Sequence, residues 1–240
     1  MKGKTAIVTG AFHGIGLAVA RRLAWRGVGL VLHYNETPEE EVEAVAEQLK
    51  EEGAPLLRYG RADFRKPDEV EKWFDEVRPI VTEVDFLVNS AGVFLRKPLA
   101  DTEATDWERL LSVNVIAPFL CTRMAVAAGV TRIVNVLDIA WDKSWRHHAA
   151  YAASKAAAAA LTRSSAVEFA PEVQVNGVAP GLISVPEEMA EMYRPVALRI
   201  PMKRHGQPEE VAKVVEQLLE SPPYVTGQIV AVDGGLSLRS

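Results

Sequence analysis

The stretch Thr9-Gly10-Ala11-Phe12-His13-Gly14-Ile15-Gly16 decides the fold. It follows a short β-branched run and opens a segment whose apolar residues recur at helical spacing. Glycines allow a tight turn and the close approach of a pyrophosphate, whose charge is attracted by the free N–H groups of a helix start. A glycine-rich turn that needs only positive φ is the plainer interpretation. The position between a strand and a helix favours a dinucleotide-binding turn formed by Gly10, His13, Gly14, Ile15 and Gly16.

The same alternation of apolar runs and helical patterns continues to the end of the chain. Strands are predicted at residues 5–9, 30–32, 56–59, 84–88, 132–137, 173–178 and 228–232. Helices are predicted at residues 14–26, 38–52, 66–77, 103–127, 151–170 and 207–219, the fourth with a bend at Pro118. Nearly continuous apolar strands separated by helices indicate a parallel sheet covered on both faces. The predicted fold class is α/β, a single doubly wound parallel sheet of Rossmann type with about seven strands and helices on both faces.

No Gly/Ser-rich linker, repeat or shift in composition divides the 240 residues. We therefore predict one dinucleotide-binding and catalytic domain over residues 1–240. Residues 182–205 break the alternation, and their three prolines are more typical of a substrate lid than of a plain connection.

Composition is that of a soluble globular protein, with 48% hydrophobic and 25% charged residues. A net charge of −5 lacks the basic footprint of a nucleic-acid binder. No apolar run approaches the ~18 residues of a membrane span, and no signal-peptide pattern is present. The lone Cys121 and the pair His147-His148 have no accompanying ligand cluster, so no metal site is predicted. We expect a cytoplasmic protein without nucleic-acid or membrane partners.

Tyr151 and Lys155 lie four residues apart in a predicted helix and so share one face. A phenol has a reference pKa of ~10, and a neighbouring ammonium group stabilises its phenolate and lowers that value. Such a tyrosine can donate a proton as a hydride arrives. Many helices carry a Tyr-x-x-x-Lys pair by chance, and the alanines around this one are also explained by tight helix packing.

Together, these features resemble the short-chain dehydrogenase/reductase family over essentially the whole chain. Asn89-Ser90-Ala91-Gly92 resembles the family's N-N-A-G sequence beside the cofactor, and Pro180-Gly181 resembles its P-G turn near the nicotinamide. Asp63 matches the position that meets the adenine, and Asn114 matches the helix asparagine that supports the proton relay. Residues 225–228 and 232–235 resemble the family's last strand and its exit.

The resemblance implies an NAD(P)-dependent oxidoreductase that acts on a small-molecule substrate, as a homotetramer built on the long helices. The implied catalytic residues are Asn114, Asp138, Tyr151 and Lys155. The implied cofactor-binding residues are those of the glycine turn together with His33, Tyr34, Asn35, Asp63, Asn89, Ala91, Gly92, Tyr151, Lys155, Pro180 and Gly181.

Asp138 departs from the family pattern, because most members carry a serine at this distance before the tyrosine. A carboxylate accepts hydrogen bonds and donates none, so it suits a substrate with N–H groups better than a ketone oxygen. It can also deliver a proton if its pKa is raised. Aspartate here, with residues 32–34, 175–182 and 232–238, resembles the pteridine reductase branch, which implies reduction of a C=N bond. The plainer interpretation is an aspartate that is solvated or caps the next turn.

Three positions differ from that branch. His13 replaces an arginine that touches cofactor and substrate, and Val93 replaces an aromatic ring that sandwiches the pterin, although Phe94 is adjacent. Val185 replaces a threonine after Pro180-Gly181. These differences leave a 3-oxoacyl-acyl-carrier-protein reductase, or another carbonyl reductase, as the alternative enzyme. A non-catalytic dinucleotide sensor is the alternative from another class, although a sensor needs no proton donor.

Cofactor choice depends on the end of the second strand, where NAD-specific members place a carboxylate for the ribose hydroxyls. The sequence there is His33-Tyr34-Asn35-Glu36-Thr37, with no acid at the strand tip itself. His13 and Thr37 can meet a 2′-phosphate, whereas Glu36 repels it. We predict NADPH and keep NAD as the alternative.

Aromatic and flexible side chains around the predicted site are candidate substrate contacts. The family places the residues between Asp138 and Tyr151 at the rim of the pocket, where a ring can stack on a flat heterocycle. Packing between subunits or under the lid is an equal alternative. The predicted substrate residues are Phe94, Trp141, Trp145, Met189, Met192 and Tyr193.

Overall fold

The computed structural model describes residues 1–77, 84–185 and 187–239. Seven parallel strands form one sheet in the order β3-β2-β1-β4-β5-β6-β7, which confirms the predicted α/β class. The strands are β1 Thr5–Val8, β2 Gly29–Tyr34, β3 Leu57–Arg61, β4 Phe86–Asn89, β5 Arg132–Val136, β6 Gln174–Pro180 and β7 Ile229–Val232. The order reverses between β1 and β4, and in sheets of this kind ligands bind in the crevice at such a reversal.

Helices connect the strands across both faces of the sheet. They are α1 Gly14–Trp25, α2 Glu39–Glu51, α3 Pro67–Val77, α4 Ala104–Leu111, α5 Ala117–Ala127, α6 Ala149–Glu168, α7 Ala190–Arg199 and α8 Pro208–Leu219. The helix predicted at 103–127 is interrupted before Pro118, the residue at which a bend was expected. Its irregular part is a π-helical turn at Ser112–Ile116, upstream of Pro118.

The two faces of the sheet are covered because successive side chains of a strand point to opposite sides. Ala6 and Val8 of β1 pack with residues of α1, α2 and α8, whereas Ile7 packs with residues of α3 and α5. All six residues of β2 are buried. Burial on both faces explains why the strands read as continuous apolar runs.

The helical stretch Ala104–Ala127 is long and apolar enough to cross a membrane, with a mean hydropathy of 1.7, and it is the one such stretch in the described ranges. Leu110, Val113, Leu120 and Ala125 on this stretch are buried inside the fold. Core helices of globular proteins meet the same criterion, so length and composition do not by themselves indicate a membrane span.

Residues 182–205 form an excursion whose two ends meet. Ile183 bridges to Gly206, the Ser184 N–H donates to the Gly206 carbonyl at 3.0 Å, and the Gly206 N–H donates to the Leu182 carbonyl at 2.9 Å. The sequence predicted no regular structure here, but α7 forms within the segment and contains Pro195. Pro186, part of the predicted lid, lies outside the described residues.

Candidate active site

Thr9 joins the two strand exits that border the crevice. Its hydroxyl oxygen accepts hydrogen bonds from the N–H groups of Ser90 and Ala91, each at 3.0 Å. The exits of β1 and β4 are therefore held together directly beneath the position where a ligand would lie.

The glycine turn needs glycine at Gly10 and Gly16. Gly10 has φ +61°, and a Cβ there would lie 2.9 Å from the Ala91 Cα. A Cβ at Gly16 would lie 2.0 Å from the Gly10 carbonyl oxygen. No side chain fits between the turn, the start of α1 and the β4 exit, so the backbone itself forms this wall.

The start of α1 fits a dinucleotide phosphate. His13 precedes the helix in an extended conformation, no side chain caps the helix, and its first turn carries no acid. A Cβ at Gly14 would meet no atom within 4 Å, so the space in front of the helix is open. Uncapped N–H groups facing open space are a favourable site for a pyrophosphate.

His33 lies behind the glycine turn, with its side chain turned away from the crevice. Its Nδ1 accepts the Gly10 N–H at 3.2 Å, and its Nε2 lies 2.9 Å from the Ala62 carbonyl oxygen. Its ring stacks on Phe64 with centroids 3.7 Å apart. The side chain predicted to bind cofactor is thus buried, and we assign it a positioning role for the turn.

Tyr34 is also buried, in edge contact with Phe12 at 5.4 Å between ring centroids. The sequence missed both orientations because β2 is covered on its two faces, so no side chain of this strand reaches the crevice directly. Asn35, the next predicted residue, lies beyond the strand and is partly exposed.

Acid should destabilise the protein through His33. Burial lowers the pKa of its imidazole from 6.5 to about 4, so the folded state binds this proton less readily than the unfolded chain. The contribution of His33 to the free energy of unfolding is fully present above pH 6.5 and is lost as pH falls towards 4, by about 3 kcal/mol.

The variant His33→Gln tests this expectation. Glutamine keeps an acceptor for the Gly10 N–H but does not titrate, so the free energy of unfolding of the variant should fall less between pH 6.5 and pH 4. Urea unfolding at several pH values measures the difference, with His205→Gln as control. Identical pH slopes for parent and His33→Gln would contradict it.

Asn114 sits in the π-helical turn and connects three elements. Its Oδ1 accepts the Val93 N–H at 2.9 Å, and its Nδ2 donates to the Val93 carbonyl at 3.0 Å. The same Nδ2 lies 3.0 Å from the Ser154 hydroxyl, which donates to the Tyr151 carbonyl at 2.7 Å. Asn114 therefore fixes the loop after β4 against the first turns of α6. Irregular π-helical turns of this kind are frequent at functional sites.

Asp138, Tyr151 and Lys155 come together at the carboxyl end of β5. The Tyr151 hydroxyl donates to Asp138 Oδ2 at 2.8 Å, while Asp138 Oδ1 accepts the Ala140 N–H at 2.8 Å. Lys155 Nζ donates to the Val136 carbonyl at 3.3 Å and lies 5.9 Å from the centre of the Tyr151 ring. Asp138 thus caps the turn at Ile139–Trp141, as the plainer interpretation held, and also binds the tyrosine.

The expectation that Lys155 lowers the pKa of Tyr151 is wrong for this arrangement. Burial, followed by the Asp138 carboxylate, raises the pKa of the phenol above its ordinary value. Burial also raises the pKa of the Asp138 carboxyl and lowers that of the Lys155 ammonium, because each charged form loses its water. The positive charge of Lys155 acts on Asp138, and the Asp138 carboxylate in turn raises the pKa of Tyr151.

The remaining predicted cofactor residues line the same edge of the sheet. A Cβ at Gly92 would lie 3.3 Å from Asn114 Oδ1 and 3.6 Å from Lys155 Nζ. Asn89 donates to the Asn135 side chain at 2.8 Å beneath this loop. Pro180 ends β6, and the Gly181 N–H donates to the Val232 carbonyl at 3.0 Å.

Comparison with known proteins decides the family. A family model described as enoyl-(acyl carrier protein) reductase matches residues 10–237. The chain belongs to the short-chain dehydrogenase/reductase family.

Relatives and solved structures match along nearly the whole chain. The 3-oxoacyl-acyl-carrier-protein reductase of Aquifex aeolicus is 33% identical over 248 residues, covering 98% of each chain. A short-chain dehydrogenase/reductase variant of Serratia marcescens superposes with a TM-score of 0.92 at 28% identity, covering 98% of each chain. A blue fluorescent protein from a metagenomic library, in complex with NADPH, superposes with a TM-score of 0.89 at 31% identity, covering 98% of each chain.

Family membership makes the chain an NAD(P)-dependent oxidoreductase and removes the alternative of a non-catalytic sensor. The glycine turn, Asn114, Tyr151 and Lys155 of this dehydrogenase/reductase lie along one edge of the sheet. Within the described residues, no group of three His, Cys, Asp or Glu side chains is placed to hold a metal ion.

Two aromatic rings form a wall beside Tyr151. Phe94 contacts the Tyr151 ring edge-on at 4.9 Å and the His148 ring at 5.5 Å between centroids. His148 is held by its Nδ1, which lies 2.7 Å from the Arg146 carbonyl oxygen. The sequence predicted Phe94 as a substrate contact. It placed His148, between Asp138 and Tyr151, at the rim of the pocket but did not include it among the predicted substrate residues.

Trp141 is not part of this wall, which corrects its prediction as a rim residue. It packs against the cluster that contains Ala158 and Ala159, and the Arg163 guanidinium lies 4.7 Å above its ring. Arg163 follows Tyr151 by twelve residues on α6, about 18 Å along the helix axis. This packing against α6 is neither of the two alternatives that the sequence left open, a subunit interface or the lid.

Three of the other four predicted substrate residues are exposed in this structure. Trp145 is 41% exposed, Met189 40% and Met192 60%, and Tyr193 is half-buried. In the described part of the chain, no hydrogen bond or ring contact joins these four residues to Asp138 or Tyr151. Their role as substrate contacts stays a prediction.

Proposed function

We propose that this enzyme is an NADPH-dependent reductase of the pteridine reductase-like type, which adds a hydride and a proton to a C=N bond of a flat, pterin-like amino-heterocycle. The observation that carries the proposal is the 2.8 Å hydrogen bond from the Tyr151 hydroxyl to the buried Asp138 carboxylate. The position that usually holds a hydroxyl donor therefore holds an acceptor coupled to the proton donor.

Asp138 favours a substrate that presents N–H groups. A carboxylate bonds only to donors, and placing it unprotonated against a ketone oxygen costs desolvation without a hydrogen bond in return. Amino-heterocycles carry N–H donors next to their C=N bonds. Asp138 can orient such a ring through its N–H edge while Tyr151 faces the atom that accepts a proton.

The aromatic wall supports a flat substrate. Phe94 is 53% exposed although it touches the Tyr151 ring, so one face of the phenyl group remains available for stacking. Offset stacking of a heterocycle on phenylalanine adds about 1 kcal/mol to the burial of its area. In the described part of the chain, His148 Nε2 has no hydrogen-bond partner, and it can accept a second N–H from the substrate.

The cofactor is held by the residues that fit it. The uncapped start of α1 would hold the pyrophosphate, Lys155 the nicotinamide ribose, and Pro180-Gly181 the nicotinamide. When bound, NADPH supplies the hydride. Tyr151 donates the proton through its hydroxyl and regains one from solvent after the product leaves. Asp138 orients the substrate, and Asn114 keeps the loop after β4 in place against α6.

The protonation states favour reduction over oxidation. Because burial and the Asp138 carboxylate raise the pKa of Tyr151, the phenol keeps its proton at neutral pH. A dehydrogenase that removes a proton from an alcohol needs the phenolate instead.

A carbonyl reductase is the second candidate, favoured by the 33% identity to the Aquifex aeolicus 3-oxoacyl-acyl-carrier-protein reductase. That relative by its name reduces an acyl ketone, a reaction that the same Tyr151 can serve. A protonated Asp138 can donate to a ketone oxygen, so the distinction depends on the substrate and not on the fold.

A substrate panel tests the proposal. We expect NADPH oxidation with dihydropterin to have a kcat/KM at least about 100-fold above that with an acetoacetyl thioester, since one misplaced buried polar contact costs this much. NADH replaces NADPH in a parallel series. A higher kcat/KM for the thioester would overturn the pterin-like assignment and establish the second candidate.

The setting of the enzyme is part of the same proposal. We place it in the cytoplasm as one domain over residues 1–240, closed by a lid at residues 182–205, and assembled as a homotetramer through the long helices. Its partners are the small-molecule substrate and copies of itself, without nucleic acid or membrane.

A further inference from the structure

The acid at the end of β2 conflicts with a preference for NADPH. Glu36 follows Gly16 by about 20 residues, the distance at which an acid in this fold binds the ribose 2′-hydroxyl of NAD. A 2′-phosphate at the same place is repelled by Glu36 unless a cation accompanies it. The end of β3 lies alongside, because Tyr34 pairs with Arg61 in the sheet.

Arg65 spans the exits of β3 and β2. Its Nε lies 2.8 Å from Asp63 Oδ1 and its Nη2 2.8 Å from Asp63 Oδ2, a two-pronged ion pair. Its Nη1 lies 4.0 Å from Glu36 Oε1. One guanidinium group thus stands between Asp63, which is predicted to meet the adenine, and Glu36, which is predicted to repel a 2′-phosphate.

We propose that Arg65 selects the 2′-phosphate of NADPH, by exchanging Asp63 for the phosphate and offsetting the charge of Glu36. This inference rests on the NADPH preference of the proposed function and not on the identity of the substrate. It names a residue after β3, outside the strand-end stretch 33–37 from which cofactor choice is usually judged.

The exchange is open to Arg65 because its side chain is 49% exposed, whereas that of Asp63 is 14% exposed. When the guanidinium turns to the phosphate, Asp63 still accepts the Arg65 N–H at 3.0 Å. A phosphomonoester offers the same two-pronged acceptor geometry as the carboxylate with more negative charge, and arginine is the side chain best shaped for it. The Asp63 carboxylate that is released can then accept from the adenine amino group.

Other charges surround the same corner. Glu39 and Glu43 act on Tyr34 from α2, and Arg61 acts on it from β3. Glu69 holds Lys66 at 2.7 Å. Arg61 lies close to Arg65 and carries the same charge. Arg61→Ala is therefore the matched control for Arg65→Ala.

Binding by calorimetry tests the inference without turnover. The full-length parent, Arg65→Ala, Arg65→Lys, Arg61→Ala and Glu36→Gln are titrated with NADP⁺, NAD⁺, adenosine 2′-monophosphate and adenosine 5′-monophosphate. Arg65→Ala should weaken NADP⁺ and the 2′-monophosphate at least about tenfold and change NAD⁺ less than about twofold, since a two-pronged phosphate contact is lost. The affinity of Arg65→Lys for NADP⁺ should lie between those of the parent and of Arg65→Ala. Glu36→Gln should bind NADP⁺ more tightly than the parent.

Three results would overturn the inference. The first is unchanged NADP⁺ binding by Arg65→Ala. The second is an equal loss for NADP⁺ and NAD⁺, which assigns Arg65 to the adenine pocket alone. The third is a larger loss of NADP⁺ in Arg61→Ala than in Arg65→Ala. A parent that prefers NAD⁺ refutes the NADPH proposal separately, and a substrate panel won by ketones leaves the Arg65 inference standing.

Discussion

Tyr151→Phe is expected to abolish turnover while leaving cofactor binding nearly unchanged. The substitution removes only the hydroxyl that donates to Asp138 at 2.8 Å, and the ring keeps its contact with Phe94. Loss of a positioned proton donor lowers rates by about 10²–10⁴-fold. We expect kcat to fall by at least ~100-fold with either a pterin or a ketone substrate. Steady-state rates and NADPH titration by fluorescence measure the two quantities.

Controls separate chemistry from folding. Phenylalanine leaves the buried Asp138 oxygen without its partner, which costs about 1–3 kcal/mol of stability, so thermal unfolding must accompany the rates. Tyr224→Phe, at a fully exposed tyrosine, should retain full activity. Activity within a few-fold of the parent in a folded Tyr151→Phe protein would remove Tyr151 from the mechanism and, with it, the reductase mechanism proposed above.

The sheet could be predicted because its determinants are local in sequence. The five inner strands are buried on both faces, so they appear as apolar runs, whereas the edge strands β3 and β7 are partly exposed. Apolar residues at helical spacing mark the covering helices. The glycine turn could be predicted for a similar reason, because a Cβ at Gly10 or Gly16 would clash with neighbouring backbone atoms. Backbone requirements of this kind leave one residue type available, and the sequence shows it.

Side-chain directions were harder to predict, because they depend on which neighbours fill the space. His33 lies at the end of β2, where a cofactor contact is expected. Its ring is instead buried, because it stacks on Phe64 and its Nε2 pairs with the Ala62 carbonyl oxygen. Trp141 stands between Asp138 and Tyr151 in sequence, yet it packs towards Arg163 on the far part of α6. Both side-chain orientations depend on tertiary packing, which the spacing of residues in the sequence does not predict.

The electrostatics of the site were the least predictable from the sequence. The Tyr-Lys spacing on α6 correctly predicted proximity but gave the wrong direction for the pKa of Tyr151. The direction depends on burial and on a carboxylate thirteen residues earlier, whose 2.8 Å contact exists only in the folded chain. Asp138 drew attention as a departure from the family pattern, and its consequences followed from the geometry.

Asp138→Ser should reverse the substrate preference. Serine donates a hydrogen bond to a carbonyl oxygen and has no negative charge to receive N–H groups. We expect kcat/KM for dihydropterin to fall at least about 100-fold, and that for an acetoacetyl thioester to stay equal or rise. The pKa of Tyr151 should also move down, because the carboxylate that raises it is gone. Rates of alcohol oxidation, which need the phenolate, should therefore rise in the variant at alkaline pH.

Stability gives an independent measure of the same substitution. Burial raises the pKa of Asp138, so the stability that its neutral form contributes is present at low pH and is lost as pH rises through that pKa. Serine has no carboxyl to ionise, so Asp138→Ser does not lose stability in this way as pH rises. The Tm of the variant should be equal to or below that of the parent at acid pH, and above it at alkaline pH. Asp142→Ser, at an exposed carboxylate four residues along, should show no such crossing. Parallel Tm curves for Asp138→Ser and the parent would show that folding does not change the titration of Asp138. Undiminished pterin reduction would show that Asp138 is a turn cap without a part in substrate choice.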